Sequence, residues 1–268
     1  MLLEPFRLYA RNRRLIYQLA IRDISARYRG SAAGLLWSIV APLCLLLSYQ
    51  LVFSQVFPAK WPVAPGGVEF PFALLVFAGI VVFAFFADCL GRGPTLISAN
   101  PNFVKKVVFP IDALAFVAAF VALFHLVGAL LVLMLFFLVL TGGMPPSFVF
   151  MPVVLLPMII FSIGALWILS ALGTYLKDLQ HVVPVVITLL FFFSPVFFPA
   201  SGIKSEWVRD LLSLNPLTGW IESTRTLLFA GALPSIRSWI TQIAVAWFVF
   251  YLGFWLFRRV RPGFADVI

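Results

Sequence analysis

Few side chains of this 268-residue sequence could perform chemistry. General acid–base catalysis needs titratable groups that act together, but the two histidines are far apart and only Asp178 lies near one of them, His181. The other, His125, lies inside a long apolar stretch, where we expect a neutral imidazole bonded to a neighbouring helix. The sequence contains no G-x-x-x-x-G-K-[ST] loop to surround nucleotide phosphates. We therefore expect a protein that is not an enzyme and that carries no cofactor or metal of its own.

The composition is that of an integral membrane protein. Hydrophobic residues make up 63% of the sequence and charged residues 11%, whereas soluble domains contain about 25% charged residues. Six stretches are long enough to cross about 30 Å of hydrocarbon, so we predict an all-α fold with six membrane spans. Their approximate positions are 35–57, 70–90, 113–140, 148–172, 182–198 and 239–257. The fifth is short, and Ser194-Pro195 is expected to end or bend it.

The distribution of charge predicts the orientation of these spans. Most lysines and arginines outside them precede the first span, follow the second or fourth, or follow the sixth. Because positive charges stay on the cytoplasmic side, we expect both termini in the cytoplasm. The net charge of +9 then reflects contact with anionic headgroups, and no nucleic acid is expected as a partner. No carboxylate lies near the middle of a span, which argues against an ion- or proton-driven transporter.

Residues 1–34 are predicted to form an amphipathic helix at the cytoplasmic face, ahead of a membrane domain at 35–268. One stripe at helical spacing is polar and mostly basic: Arg7, Arg11, Arg14, Gln18, Arg22, Ser25 and Arg29. A second stripe is apolar: Tyr17, Ile21, Ile24 and Tyr28. Such a helix can anchor at the membrane surface or present its basic stripe to a cytoplasmic partner, and both interpretations remain open.

The loop after the second span has the signals of a short helix of about two turns. Asn100 can cap it, Pro101 fits its first turn and Pro110 would stop it. The side chains that it would present are Phe103, Val104, Lys105, Lys106 and Val107. We interpret this helix as a protein-docking element, with a helix lying among the lipid headgroups as the alternative.

Two further short helices are predicted between the fifth and sixth spans, within about 203–230. The first covers 203–214, and the second follows Asn215-Pro216, which supply an N-cap and a first-turn proline. Each helix is too short to cross the bilayer. We predict that they re-enter the membrane from the external side, with an ordinary external cap as the alternative.

Four groups of residues, in order along nearly the whole chain, resemble the membrane-spanning subunit of type-2 ABC exporters that move lipid-linked polysaccharide such as O antigen, capsule or teichoic acid. They are R-D-I-S-A-R-Y-R-G-S-A-A-G-L-L-W at 22–37, N-P-N-F-V-K-K-V-V-F-P at 100–110, Y-L-K-D-L at 175–179 with S-P-V-F-F-P at 194–199, and N-P-L at 215–217 with Arg225 and the closing G-F-A-D-V-I at 263–268. No single motif is specific, but the ordered set is. Lys177 departs from the family, where arginine is expected more often.

The resemblance implies a homodimer of six-span subunits around a channel, with two separate nucleotide-binding ATPase subunits that carry ATP and magnesium. It also implies that the N-terminal helix and the loop helix contact the ATPase. The residues that would do so are Arg22, Arg27, Arg29, Asn100, Pro101, Phe103, Val104, Lys105 and Lys106. The helices within 203–230 resemble the external gate of the family. Aromatic residues of the first and fifth spans partly line its channel, and the candidates here are Tyr49, Phe193 and Phe197.

Aromatic side chains in such a channel also have a physical reason. Sugar rings present C–H faces that stack on aromatic planes, and these contacts are weak enough to release a sliding polymer. The alternative is that all three candidates pack between helices or mark the membrane interface, as most aromatic residues of membrane proteins do.

The expected function is therefore that of the permease subunit of an ATP-driven exporter. Its cargo would be an undecaprenyl-linked polysaccharide, O antigen in the first place, moved across the bacterial inner membrane. One alternative is a type-2 ABC permease for a small hydrophobic drug or lipid, which would share the same topology. The other is a membrane enzyme acting on polyprenyl lipids, against which the lack of an acid–base pair counts.

Overall fold

The chain is helical through the part that the computed structural model describes, residues 3–56, 70–104, 109–203 and 205–267. These ranges contain no strand, in agreement with the predicted all-α fold. Their helices are α1 (Glu4–Tyr28), α2 (Trp37–Leu51), α3 (Phe72–Arg92), α4 (Pro101–Val104), α5 (Leu114–Thr141), α6 (Met151–Tyr175), α7 (Leu179–Phe192), α8 (Glu206–Leu214), α9 (Pro216–Phe229), α10 (Ile236–Val260) and α11 (Phe264–Val267).

Among the described residues, five segments are long and apolar enough to cross a membrane: Gly34–Gln55, Phe72–Arg92, Ile111–Thr141, Pro146–Tyr175 and Ile236–Gly263. They match the predicted first, second, third, fourth and sixth spans. The predicted fifth span is α7, whose 14 residues extend about 21 Å at 1.5 Å per residue, less than a full crossing. α7 ends just before Ser194-Pro195, so the predicted helical range of 182–198 is too long at its end. A sixth crossing would need the irregular residues 193–199 as well.

α3 lies at the centre of the molecule. Of the residues in the most apolar stretch of α3, 83% are buried. This helix packs against α2, α5, α6, α7 and α9. Because lipid is as apolar as the helix surfaces, close packing between side chains must hold such a bundle together. By contrast, only 6% of the corresponding window of α2 is buried, so this helix lies at the outside.

α6 and α10 approach each other so closely that their backbones touch. A Cβ atom placed on Gly164 of α6 would lie 2.5 Å from the carbonyl oxygen of Val249 and 2.6 Å from Cα of Phe250, both on α10. Conversely, a Cβ on Gly253 of α10 would overlap the carbonyl oxygen of Gly164. Small residues at such crossings allow the tight packing that stabilises membrane helix pairs.

We expect Gly253→Ala to destabilise the protein more than Gly91→Ala, although both glycines lie within helices. The added methyl group would collide with Gly164 in the first case, whereas in the second it meets only Ile187 Cδ1 at 3.8 Å. Alanine favours a helix over glycine by about 1 kcal/mol, so Gly91→Ala should be neutral or stabilising. Thermal unfolding of both variants in one detergent measures the difference. Equal midpoints would contradict the close contact between α6 and α10.

We call one end of the molecule the basic end because Arg27, Arg92, Arg258 and Arg261 lie there. The first and last long helices, α1 and α10, are tied together at this end. Asp112, buried before α5, accepts hydrogen bonds from Arg261 at 2.9 and 3.2 Å and from Arg258 at 3.5 Å. The start of α5, the end of α10 and the turn that follows α10 therefore meet at one buried carboxylate.

α1 lies across the basic end. Glu4 in its first turn pairs with Arg258 at 2.9 Å, and Phe6 packs against Trp247 of α10 with ring centroids 5.7 Å apart. At its other end, Arg27 approaches Asp88 of α3. α1 therefore lies along the surface of the bundle, and the position of residues 1–34 at the cytoplasmic face of a membrane stays a prediction.

Candidate functional site

α2 and α7 flank α3 and leave a broad apolar surface uncovered. We call the exposed side chains of these two helices the α2–α7 face. The large exposed side chains of α7 include Val182, Val185, Leu189 and Phe192, and α2 is hardly buried at all. Apolar surface of this extent is not left to water, so lipid or another polypeptide must cover it.

A row of aromatic rings joins α2, α7 and α3 on this face. Tyr49 stacks with Phe53 at a centroid distance of 6.0 Å and meets the ring of Phe197 edge-on at 6.4 Å. Phe197 contacts Phe191 at 5.2 Å, and Phe191 contacts Phe83 at 4.9 Å. The structure thus brings together Tyr49 and Phe197, which are 148 positions apart in the sequence and were two of the three predicted channel residues.

The third predicted channel residue, Phe193, directly follows α7 and is 56% exposed. Sequence reasoning missed Phe53, which lies four residues after Tyr49 and so on the same side of a helix; the spacing of the two rings could have revealed it. The lining of a channel by these rings stays a prediction.

Asn215 joins the end of α7 to the start of α9. Its Oδ1 accepts a hydrogen bond from the backbone N–H of Leu217 at 3.0 Å, which confirms the predicted N-cap. Its amide nitrogen donates to Ser194 Oγ at 2.9 Å and to the carbonyl oxygen of Phe193 at 3.0 Å. Two of the family-like motifs, S-P-V-F-F-P and N-P-L, are therefore parts of one structural unit.

α8 and α9 correspond to the two short helices predicted within 203–230, although α8 begins at Glu206 and not at 203. α8 exposes apolar side chains such as Trp207. In α9, Leu217, Trp220 and Ile221 are completely buried, and the helix packs against α3 and α6. A short helix buried among spans has the packing of a re-entrant helix, which favours that interpretation over an ordinary cap for α9.

Arg225 of α9 is a completely buried cation that binds three carbonyl groups on two separate stretches of backbone. Its guanidinium donates to the carbonyl oxygens of Leu75 at 3.1 Å, Pro195 at 2.5 Å and Val196 at 2.5 Å. It also pairs with Glu222 at 3.2 Å. Only the planar fork of an arginine presents enough donors in the right directions for such an arrangement.

Through these bonds Arg225 fixes the bend after α7, the segment that carries Phe197. Glu222 contributes as well, because its Oε1 also accepts the backbone N–H of Ala200 at 3.3 Å. Sequence reasoning quoted Arg225 only as part of a resemblance. Nothing in its local sequence indicated a buried side chain, since the partners are carbonyl groups that carry no sequence signal.

The polar stripe of α1 is exposed along its whole length, as predicted. The side that packs onto the bundle is formed by Ile16, Leu19 and Ala20, which are all buried. Ile24 of the predicted apolar stripe also packs against the core, but Tyr17 and Ile21 of the same stripe are 64% and 44% exposed. These two side chains can contact lipid, so α1 keeps both the anchoring and the docking capacity inferred from its sequence.

The two predicted docking elements, α1 and α4, meet at the basic end. The guanidinium of Arg22 lies over the ring of Phe103, 5.6 Å from its centroid. Phe103 also stacks in parallel on Phe109 with centroids 4.2 Å apart. The ring is therefore partly covered within the chain itself and is not the free knob that its sequence position suggested.

Other predicted docking residues lie close by. Asn100 accepts the backbone N–H of Phe103 with its own carbonyl oxygen at 3.0 Å, while its side-chain amide donates back to the Leu96 carbonyl at 2.9 Å. One helical turn, Pro101–Val104, is described, and the rest of the predicted helix falls on residues 105–108, outside the described part of the chain. Lys105 and Lys106 lie outside the described residues. Contact of these residues with an ATPase stays a prediction.

Arg27 has different neighbours from Arg22. Arg29 is exposed after the end of α1, whereas Nη1 of Arg27 lies 3.5 Å from His125 Nδ1 and 4.0 Å from Asp88 Oδ1. His125 Nδ1 in turn lies 3.1 Å from Asp88 Oδ2. The expectation that His125 has no carboxylate nearby is wrong, because α3 and α5 pack side by side. The bond to a neighbouring helix is confirmed.

Known proteins similar to this chain agree with these features. The model of the ABC-2 type transporter family matches residues 14–229. The chain is 31% identical to an O-antigen export system permease protein RfbA from Myxococcus xanthus, over 96% of either chain. It is 26% identical to a protein of the same name from Klebsiella pneumoniae over 95% of either chain, and 28% identical to the polysialic acid transport protein KpsM of Escherichia coli over 80% of either chain. This chain therefore belongs to the ABC-2 type transporter family.

Proposed function

We propose that this chain is the permease subunit of an exporter that moves lipid-linked polysaccharide, O antigen in the first place, across the bacterial inner membrane. The observation that carries the proposal is the similarity over almost the full length to O-antigen export permeases, 31% in the first case. The row of aromatic rings on the α2–α7 face supports it, because these rings suit a polymer of sugars that slides.

In this proposal two copies of the chain face each other through their α2–α7 faces and enclose the channel. The cargo is carried on undecaprenyl diphosphate. Energy comes from two separate ATPase subunits that bind ATP and magnesium, since the sequence of the permease contains no phosphate-binding loop. The basic end, with both termini, lies in the cytoplasm, in keeping with the distribution of positive charge.

The geometry of the basic end supports a mechanical link to such a motor. α1 and α4 touch through Arg22 and Phe103, and Arg27 of α1 pairs with Asp88 of α3. Closure of the ATPase dimer would displace these elements as rigid bodies, and α3 would transmit the displacement to the far end. There Arg225 holds the bend after α7 and the aromatic ring of Phe197 with it.

Disruption of the gene tests the proposal. We expect long-chain polysaccharide to disappear from the cell surface while polymer on its lipid carrier accumulates inside, and a plasmid copy of the chain should reverse both effects. Normal surface polysaccharide together with a new sensitivity to hydrophobic drugs would favour the drug or lipid permease instead. Turnover of a polyprenyl lipid by the purified chain alone would favour the membrane enzyme.

Replacing both Tyr49 and Phe197 with alanine should slow export without affecting insertion. A stacking contact contributes about 1 kcal/mol, so the loss of two should reduce the rate of polymer export roughly thirtyfold. Pulse labelling of surface polysaccharide measures this rate. Phe248→Ala is the matched control, because Phe248 is 68% exposed on α10. An equal effect of all aromatic substitutions would contradict a special role of the row.

A further inference from the structure

A cavity of about 370 Å³ opens between α2, α3 and α5 at the basic end. The last turn of α1 closes it below with Arg27 and Tyr28. Its charged lining is confined to this end, where Asp88 and His125 join Arg27. Above them the wall is mostly apolar and includes Ala41, Val81, Ala84, Phe85 and Leu126. A cavity with one charged end and one apolar end suits a ligand built in the same way.

The charged end of the cavity contains a cation, Arg27, whose guanidinium has N–H donors available for a ligand. Asp88 is already bound by Arg92, which donates to both carboxylate oxygens at 2.9 and 3.2 Å, and by His125 at 3.1 Å. Arg27 lies farther from Asp88, at 4.0 Å, and its side chain is 53% exposed. Two arginines and one carboxylate meet here, so positive charge predominates. Arg27 can therefore turn several of its five N–H groups toward an anion.

The apolar wall is open to a ligand from the side. Ala41 on α2 and Ala84 on α3 are both exposed, although most of α3 is buried. Their small side chains leave a gap between the two helices that a hydrocarbon chain can enter. Trp37, which is 47% exposed, lies at the level of the charged end, as tryptophan does where headgroups meet hydrocarbon.

We propose that this cavity binds the phosphate headgroup of a membrane lipid. Arg27 donates to the phosphate oxygens, and the wall between α2 and α3 receives the first part of the hydrocarbon chain. Asp88 does not bind the lipid; it orients the imidazole of His125 and holds the guanidinium of Arg27 at the mouth. Two sources share this chemistry, the polyprenyl diphosphate carrier and bulk anionic phospholipid. Assignment to the carrier rests on the proposed function.

Binding to the purified full-length chain tests the proposal. Farnesyl diphosphate, phosphatidylglycerol and inorganic pyrophosphate are titrated separately into protein in a neutral detergent, and bound lipid is counted by native mass spectrometry. We expect farnesyl diphosphate to bind and Arg27→Gln to weaken its binding about tenfold or more, the loss of one charge-assisted contact. Arg13→Gln, an exposed cation on the same helix, should change the affinity less than twofold. Inorganic pyrophosphate should bind far more weakly, since it lacks a chain.

A second variant leaves the charges intact. Ala84→Trp fills the gap between α2 and α3 and should also block farnesyl diphosphate, with gel filtration and thermal unfolding as checks of the fold. Wild-type affinity in either variant would overturn the proposal, and so would equal effects of Arg27→Gln and Arg13→Gln. Tighter binding of phosphatidylglycerol than of farnesyl diphosphate would support the headgroup site but overturn its assignment to the carrier.

The two proposals fail in different ways. If lipid binds as expected while the gene disruption leaves surface polysaccharide unchanged, the cavity stands and the proposed function is wrong. If the disruption removes surface polysaccharide but Arg27→Gln binds lipid normally, the function stands and the cavity has been misassigned.

Discussion

Replacing Arg225 with methionine is expected to abolish polysaccharide export and to lower the midpoint of thermal unfolding in detergent. Methionine fills much of the same space but donates no hydrogen bond to Pro195 or Val196, whose carbonyl groups lie outside any helix. Each buried carbonyl that loses its donor costs about 1–3 kcal/mol. The bend after α7 would then no longer be held against α3 and α9, and Phe197 would lose its fixed position.

Two further variants separate charge from geometry. Arg225→Lys keeps the positive charge but cannot reach three carbonyl groups from one ammonium, so we expect it to recover little of the export. Arg209→Met removes an exposed arginine of α8 and should leave both export and unfolding close to wild type. An Arg225→Met variant with normal stability and normal export would show that the buried guanidinium of Arg225 does not hold together the end of the molecule opposite the basic end.

Phe103→Asp is expected to uncouple the permease from its ATPase and to stop export, while the chain still inserts in the membrane. The substitution removes an aromatic ring that lies between Arg22 and Phe109, and a carboxylate there would draw Arg22 into an ion pair. The junction of α1 and α4 would lose its apolar surface. Copurification of the ATPase with the permease and ATP hydrolysis by the complex measure the loss.

Phe103→Leu provides the comparison, because leucine keeps the apolar character without the flat ring. We expect it to retain most of the copurified ATPase. If the Phe103→Asp variant bound the ATPase and exported polymer to the same extent as the Phe103→Leu variant, the junction of α1 and α4 would not be a docking element.

Local signals in the sequence predicted the helices and several of their ends. Long apolar runs located α3, α5, α6 and α10, and prolines with capping residues located the start of α9 at Asn215-Pro216. These features depend only on neighbours in the chain, which is why they could be predicted. The end of α7 was placed too late, although Ser194-Pro195 marked the break.

Contacts between distant residues could not be predicted in the same way. Periodicity gave α1 two stripes but could not say which side would meet α5, and the buried side proved to be that of Ile16 and Leu19. The same limit applies to Arg27, which resembles any other arginine of its helix until α3 and α5 bring Asp88 and His125 beside it. Tyr49 and Phe197 were named for a resemblance, and only the fold places their rings in contact.

The tie between α1 and α10 has a consequence for how the protein is made. The first turn of α1 contacts Trp247 and Arg258 of α10, a helix that is synthesised after the other long helices described here. The start of α1 can therefore reach its final position only after α10 has been made, although the rest of α1 can already pack on α5. A nascent chain arrested before α10 would leave the start of α1 without these contacts and more open to proteases.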